Sequence, residues 1–193
     1  VQPGGRMGLF EQSDADFLGR IVTWLADRDW KEGRFSQNRI PVDLPQIESL
    51  GKNLYGLHQK KILELREFLL NLKSKVGTDS RNITFVKSFY SLLGILNIDS
   101  WPDDSMHNSR RGTIARFQRL IADYEAVQRR SRVDLAADGV QIGAADQGKY
   151  YFTNLADLIV NYAIGVYEDF EGEDDPNLDA IDLMTIHSAK GLE

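Results

Sequence analysis

The chain of 193 residues has no cysteine, three histidines and no long apolar run. The lack of cysteine excludes a disulfide framework and any thiolate metal site. His58, His107 and His187 are widely separated in sequence, so they do not suggest a metal site either. No apolar run reaches membrane-spanning length, and no signal or transit peptide is present, so we expect a cytoplasmic protein without a membrane partner.

The sequence also lacks the parts of a nucleotide-hydrolysing site. It contains no Gly-x-x-x-x-Gly-Lys-(Ser/Thr) loop to cradle phosphates and no acidic pair after a strand to hold magnesium. We therefore expect this chain alone to bind neither ATP nor Mg²⁺ nor another cofactor. We also expect it to contain no catalytic residue.

Charge is unevenly distributed along the chain. The net charge is −6, with 42% hydrophobic and 27% charged residues, which is ordinary for a soluble globular protein. Residues 168–182 hold eight acids and no Lys or Arg, whereas the remainder holds 21 acids against 23 bases. We interpret the acidic run as a solvated connector, which nucleic-acid phosphates would repel.

Helical spacing of apolar residues predicts an all-α, irregular fold before the acidic run. Ser13 or Asp14 can cap the first predicted helix, and the last predicted helix ends at Val166. They cover 13–27, 57–76, 82–97, 109–136 and 150–166. The stretches 29–45 and 138–149 are interpreted as a connection and a Gly- and Ala-rich mobile loop. The acidic connector then covers 171–180, and a short strand and turn cover 181–193.

Two helices have informative side chains. The apolar density of 82–97, which includes Phe89 and Tyr90, predicts burial on more than one side. The helix 109–136 has a predicted buried stripe that includes Val127. The members of that stripe are Ile114, Phe117, Leu120, Ile121, Tyr124 and Val127.

The helix 109–136 is also strongly basic and is the best nucleic-acid candidate in the chain. Its arginines are Arg110, Arg111, Arg116, Arg119, Arg129, Arg130 and Arg132. We predict that DNA contacts Arg116, Arg119, Arg129 and Arg130. The alternative is a solvated face whose arginines pair locally with Asp123, Glu125 and Asp134.

The last residues form a polar turn after a predicted strand. Ile181 and Leu183 alternate as on one strand face, and His187-Ser188-Ala189-Lys190-Gly191 follows. A hydroxyl, an imidazole and an ammonium beside a flexible glycine could hold phosphate. An ordinary solvated turn is equally consistent with this pattern.

The string Leu183 to Leu192 resembles motif V of the UvrD/Rep/PcrA family of superfamily 1 DNA helicases. The family pattern is close to Leu-Met-Thr-(Leu/Ile)-His-x-(Ala/Ser)-Lys-Gly-Leu-Glu-Phe, and Glu193 also fits it. The family continues with Phe where this chain stops, so we expect a piece of a longer protein. Gly4-Gly5 with the helix after it, and the stretch 85–96, are similar to parts of the helical 2B subdomain of these helicases.

The resemblance implies that the parent is an ATP-dependent 3′ to 5′ DNA helicase, which hydrolyses ATP with Mg²⁺ and acts in DNA unwinding and repair. Residues 1–170 would be the 2B insertion of its second RecA-like motor domain, and 181–193 the strand returning to that domain. Thr185, His187 and Lys190 would contact single-stranded DNA, whereas Gly191 and Glu193 would lie toward ATP, with Glu193 on the ribose. The implied partners are single-stranded DNA, a duplex junction and a protein on the 2B surface, in a bacterial nucleoid.

One family feature departs from its usual spacing. Related helicases have a Gly-x-Gly loop of helix-hairpin-helix type that grips a duplex, whereas Gly51 and Gly56 here are five positions apart. A plain helix-turn is the alternative for this stretch.

Two other functional hypotheses remain open. One is a helical protein-interaction domain whose basic helix binds an acidic partner. The other is a 2B-like part of an AddA- or RecB-type helicase–nuclease, which usually has Lys-Ser in place of Ser188-Ala189.

Overall fold

The computed structural model describes residues 8–33, 38–77, 85–131, 133–135, 141–143 and 149–165, and the side chains of 128–131, 133–135 and 141–143 lie outside that description. Over this part of the chain the fold is all-α, which confirms the predicted class. The helices are α1 (Ser13–Leu25), α2 (Leu44–Tyr55), α3 (Gln59–Gly77), α4 (Phe85–Ile95), α5 (Ser105–Ser131) and α6 (Lys149–Ala163). None of these helices is long and apolar enough to cross a membrane.

Two short antiparallel hairpins accompany the helices. In the first, β1 (Trp30–Lys31) pairs with β2 (Arg39–Ile40), inside the stretch interpreted as a connection. In the second, β3 (Val133–Leu135) pairs with β4 (Gln141–Gly143). The predicted extension of the basic helix to Ala136 is therefore wrong, because the chain leaves the helix after Ser131 and enters β3.

Helix α1 is the centre of the core and packs against α2, α3, α5 and α6. Its apolar residues, such as Phe17, Leu18 and Ile21, are almost completely buried, as the helical spacing predicted. The predicted cap is wrong. Gln12 occupies the N-cap position, its side chain makes no capping hydrogen bond, and Ser13 is the first helical residue.

The turn between α2 and α3 follows the plain helix-turn alternative. Asp43 caps α2 by accepting a hydrogen bond from the Gln46 backbone N–H at 2.8 Å. Gly51 lies inside α2 and is buried, whereas Gly56 ends the helix with a φ of 63°, which favours glycine. Because Gly51 is helical, the two glycines do not form a Gly-x-Gly loop.

Helices α4 and α5 run antiparallel, with Val86 near Glu125 and Tyr90 near Gln118. Residues 82–97 were expected to be buried on more than one side, and this is wrong at Tyr90, which is 58% exposed, while Phe89 beside it is fully buried. The expectation for Val127 is also wrong, since it is 63% exposed. Each helix turns one face to the core, and these two side chains fall on the other face.

A buried polar network ties α6 to the start of α4. The Tyr151 hydroxyl donates to Glu125 Oε1 at 2.6 Å and accepts from the Phe85 backbone N–H at 3.1 Å. Glu125 Oε1 also accepts from the Val86 backbone N–H at 3.3 Å. The first N–H groups of a helix have no partner within it, so this network caps α4 with side chains from α5 and α6. Burial first, then the bond to Glu125, raises the pKa of Tyr151 far above its ordinary value.

Candidate nucleic-acid interface

The basic side chains of α5 divide into two groups along the helix. Arg110 and Arg111, in its first turns, point into the protein or onto the preceding loop. Arg116 and Arg119, farther along, are exposed to solvent. The side chains of Arg129 and Arg130 lie outside the described residues, as does Arg132. The described part of the predicted DNA surface is therefore Arg116 and Arg119.

Arg110 points into the protein and contacts residues of other helices and of the loop before α5. Its guanidinium bonds both carboxylate oxygens of Asp14, at 2.9 and 2.8 Å, and the Leu54 carbonyl at 3.1 Å. It also lies 4.3 Å from the Trp101 ring centre, a cation–π distance. The bond to Asp14 raises the pKa of Arg110 further, so this charge is permanent. The sequence signal for this position is the spacing, because Arg110 lies one turn before Ile114 on the buried stripe.

Arg111 holds the loop in front of α5. One guanidinium nitrogen donates to the Trp101 carbonyl at 2.6 Å, and the other donates to Asn108 Oδ1 at 2.8 Å. Asp104 caps the same helix end by accepting from the His107 backbone N–H at 2.8 Å. That bond, together with the His107 side chain, lowers the pKa of Asp104.

Local pairing, the alternative for the basic helix, is present in the described part at Arg119. Arg119 Nε lies 3.9 Å from Asp123 Oδ2, and both side chains are at least 65% exposed. An exposed pair at that distance contributes little to stability, typically less than about 1 kcal/mol. Glu125, a second proposed partner, is buried and bonds Tyr151 and Val86, while the side chain of Asp134 lies outside the description.

The structure does not describe the predicted motif V residues, so their distance from α5 is undefined. Thr185, His187, Lys190, Gly191 and Glu193 all lie outside the described residues, as do the acidic connector and the predicted strand. The structure therefore brings together only two of the nine predicted binding residues, Arg116 and Arg119.

An open cleft of about 400 Å³ lies between α1, α2 and β1. Its polar walls already bond one another. Asp16 accepts from Arg20 at 2.8 Å and from the Trp30 indole N–H at 2.7 Å, and Lys31 Nζ donates to the Phe10 carbonyl at 2.8 Å. These side chains join α1 to β1 and to the 3-10 turn Leu9–Glu11, so we assign them a structural role. Among the described residues, no group of three or more His, Asp or Glu side chains is arranged to hold a metal ion.

Comparison with protein-family models, with curated proteins and with solved structures found no match to this chain.

Proposed function

We propose that this chain is the 2B-type regulatory and duplex-contacting subdomain of an ATP-dependent 3′ to 5′ DNA helicase, continuing through motif V. The observation that carries the proposal is the string Leu183 to Glu193, which follows the UvrD-like motif V pattern position by position. The all-α fold of the described residues and the exposed Arg116 and Arg119 on α5 are consistent with a helical module that touches DNA.

In this proposal helix α5 and the motif V string have different tasks. The exposed arginines of α5 bind phosphates of the duplex ahead of the motor, mainly through charge. In the intact helicase, Thr185, His187 and Lys190 contact the single strand, while Gly191 and Glu193 face the ATP held with Mg²⁺ between the motor domains. The chain alone supplies no phosphate-cradling loop, so ATP hydrolysis belongs to the rest of the enzyme.

The test is fluorescence anisotropy with a labelled duplex that carries a 3′ single-stranded tail. A blunt duplex and a single strand are measured in parallel, each over a salt series. We expect salt-sensitive binding that needs the duplex, because several arginine–phosphate contacts release counterions. Absence of binding to every DNA at protein concentrations above about 10⁻⁴ M, where non-specific contacts should form, would contradict the duplex-contacting role.

A helical protein-interaction domain is the second candidate, and α3 offers an observation in its favour. Leu63 and Leu70 are 44% and 49% exposed, and they are seven residues apart, so they lie on one face of α3. An exposed apolar pair of this kind suits a partner helix. This candidate predicts that none of the three DNAs binds in a salt-sensitive way.

A further inference from the structure

His58 lies at the start of α3 and caps this helix with its ring. Its backbone carbonyl accepts a hydrogen bond from the Ile62 N–H at 3.1 Å, the first bond of the helix. Its Nδ1 atom accepts a second bond from the Lys61 backbone N–H at 3.3 Å. Lys61 is the third residue of α3, and an N-cap side chain normally bonds the N–H of the second or third residue. His58 therefore occupies the position that Ser, Thr, Asp or Asn usually fills.

This cap differs from the usual ones because its acceptor titrates near neutral pH. Imidazole Nδ1 accepts a hydrogen bond only while it carries a lone pair, so the proton of the neutral ring must be on Nε2. Protonation turns Nδ1 into a donor that faces the Lys61 N–H, which is also a donor. The same step adds positive charge at the N-terminus of α3, where the helix dipole is already positive. The capping bond is therefore lost when the ring is protonated.

Among the described residues, no carboxylate pairs with the His58 ring. The first turn of α3 contains two lysines and no acid, and Glu64 in the next turn pairs with Lys61 at 2.9 Å. The charged residues of the helices packed on α3 are Asp14, Asp16 and Arg20 of α1, Glu48 and Lys52 of α2, Lys87 of α4, and Lys149 and Asp157 of α6. The four carboxylates in this set pair with arginines, namely Asp14 with Arg110, Asp16 with Arg20, Glu48 with Arg66 and Asp157 with Arg28. The protonated ring thus gains no ion pair that would offset the loss of the cap.

The turn that this cap closes lies between two anchored positions. Leu57, just before it, is 4% exposed, and Ile62, just after it, is 9% exposed. One turn farther along α3, Arg66 donates to both carboxylate oxygens of Glu48 on α2, at 2.5 and 2.6 Å. Loss of the cap should therefore open residues 58–61 and leave the remainder of α3 in place.

We propose that His58 is a pH-sensitive cap that closes the first turn of α3 near neutral pH and releases it in mild acid. Imidazole side chains in model peptides titrate near about pH 6.5, so the change should fall between about pH 7.5 and 5.5. The stabilisation by the cap is present while the ring is neutral and is lost as the pH falls through its titration. This device acts at the junction of α2 and α3 and does not depend on the proposed DNA-binding role.

The test is hydrogen exchange of the Lys61 amide in the full chain, measured by NMR at about pH 7.5 and 5.5 and corrected for the intrinsic rate at each pH. We expect the protection of this amide to fall about fivefold in acid, which corresponds to the usual contribution of an N-cap. His58→Asn keeps a cap acceptor that does not titrate, so its protection should be equal at both pH values. His58→Ala has no acceptor and should show the low protection at both.

His107 offers the matched control, because it also lies in the first turn of a helix, where its Nδ1 contacts Asp104 Oδ2 at 2.8 Å. His107→Asn should leave the acid response of the Lys61 amide unchanged. The amide of the buried Leu69, in the middle of α3, should keep its protection in every variant. Equal protection of Lys61 at both pH values in the unaltered chain, or an equal fall in His58→Asn, would overturn the inference. So would a His58→Ala variant as protected as the unaltered chain near neutral pH, and none of these outcomes affects the proposed function.

Discussion

Asp14 and Arg110 are 96 positions apart in sequence and form a two-pronged ion pair. The Arg110 Nη2 atom that bonds Asp14 at 2.8 Å also bonds the Leu54 carbonyl at 3.1 Å, so one side chain joins α1, α2 and α5. The Asp14 side chain is 6% exposed and that of Arg110 is 22% exposed. The Tyr55 hydroxyl lies nearby, buried and without a hydrogen-bond partner among the described residues. Its burial, together with the charge of Asp14, raises the pKa of Tyr55 strongly.

Removing either member of this pair should destabilise the fold. Asp14→Ala or Arg110→Gln leaves the other charged group poorly solvated, so we expect a loss of about 2–4 kcal/mol in the free energy of unfolding. Arg110→Lys keeps the charge but loses the fork geometry and should fall in between. Urea denaturation measures all three variants.

The matched control is the exposed pair on the same helix. Arg119→Gln or Asp123→Asn should change the free energy of unfolding by less than about 1 kcal/mol, because both side chains are solvated. If Asp14→Ala were no more harmful than Asp123→Asn, the long-range pair would not stabilise the fold.

Gly19 in α1 provides a test of how closely α1 packs on β1. A Cβ at Gly19 would lie 2.8 Å from Cζ2 and Cζ3 of Trp30 and closer still to its Cη2, and Trp30 is fully buried. In a helix, Gly→Ala normally gains up to about 1 kcal/mol. Here the overlap should reverse the sign, so that Gly19→Ala destabilises the protein by about 1–3 kcal/mol.

Gly112 in α5 is the control for this substitution. A Cβ there would meet nothing within 4 Å, so Gly112→Ala should show the ordinary gain in stability. Thermal melts of the two alanine variants should shift in opposite directions. A shift in the same direction would mean that Trp30 can move aside.

Much of the fold follows from helical spacing, because an apolar stripe such as Phe17, Leu18 and Ile21 specifies a buried helix face without reference to any partner. The exposure of Tyr90 and Val127 does not follow, since it depends on which neighbour covers which side of α4 and α5. The β3–β4 hairpin was also missed, because its strands are only three residues long, and β3 falls within the predicted helix 109–136 while β4 falls within the Gly- and Ala-rich stretch 138–149.

The candidate interface was predictable in part. Helical phase separates Arg110, which lies on the buried stripe, from Arg116 and Arg119, which lie off it. The role of Gln118 was not predictable, because its partner Tyr90 belongs to another helix and is 28 positions away. Pairs of this kind depend on tertiary packing, and a single sequence contains no signal for them.

The cap of α5 should make stability depend on pH in a defined direction. The backbone N–H and side chain of His107 lower the pKa of Asp104 below its model-peptide value of 3.8. The stabilisation is therefore fully present above pH 3.8 and is lost as the pH falls through the lower, folded-state pKa. Asp104→Ala should lower the melting temperature at pH 7, and the difference from the unaltered chain should stay constant down to pH 3.8 and shrink only below it.

Asp104→Asn separates the cap from the charge. An asparagine accepts the same backbone N–H but does not titrate, so it should preserve most of the stability while removing this part of the pH dependence. Asp103, which precedes the helix, accepts a hydrogen bond from the Asn108 side-chain amide and serves as the neighbouring-acid control. If Asp103→Asn altered the acid side of the stability curve as much as Asp104→Asn, the assignment to the cap would be wrong.

If the chain binds DNA, the arginines of α5 should carry a large part of the affinity. Changing Arg116, Arg119, Arg129 and Arg130 to Gln removes up to four phosphate contacts, and each contributes about 0.7–0.9 to the slope of log affinity against log salt. Arg116→Gln with Arg119→Gln alone should account for about half of that decrease. Lys52→Gln with Lys60→Gln removes equal charge from α2 and α3 and should leave the slope nearly unchanged. The lysine variant controls for net charge, because a general loss of charge would reduce the slope alike in both double variants, whereas a local contact affects only the arginine variant. An unaltered affinity in the fourfold variant would rule out α5 as the DNA surface.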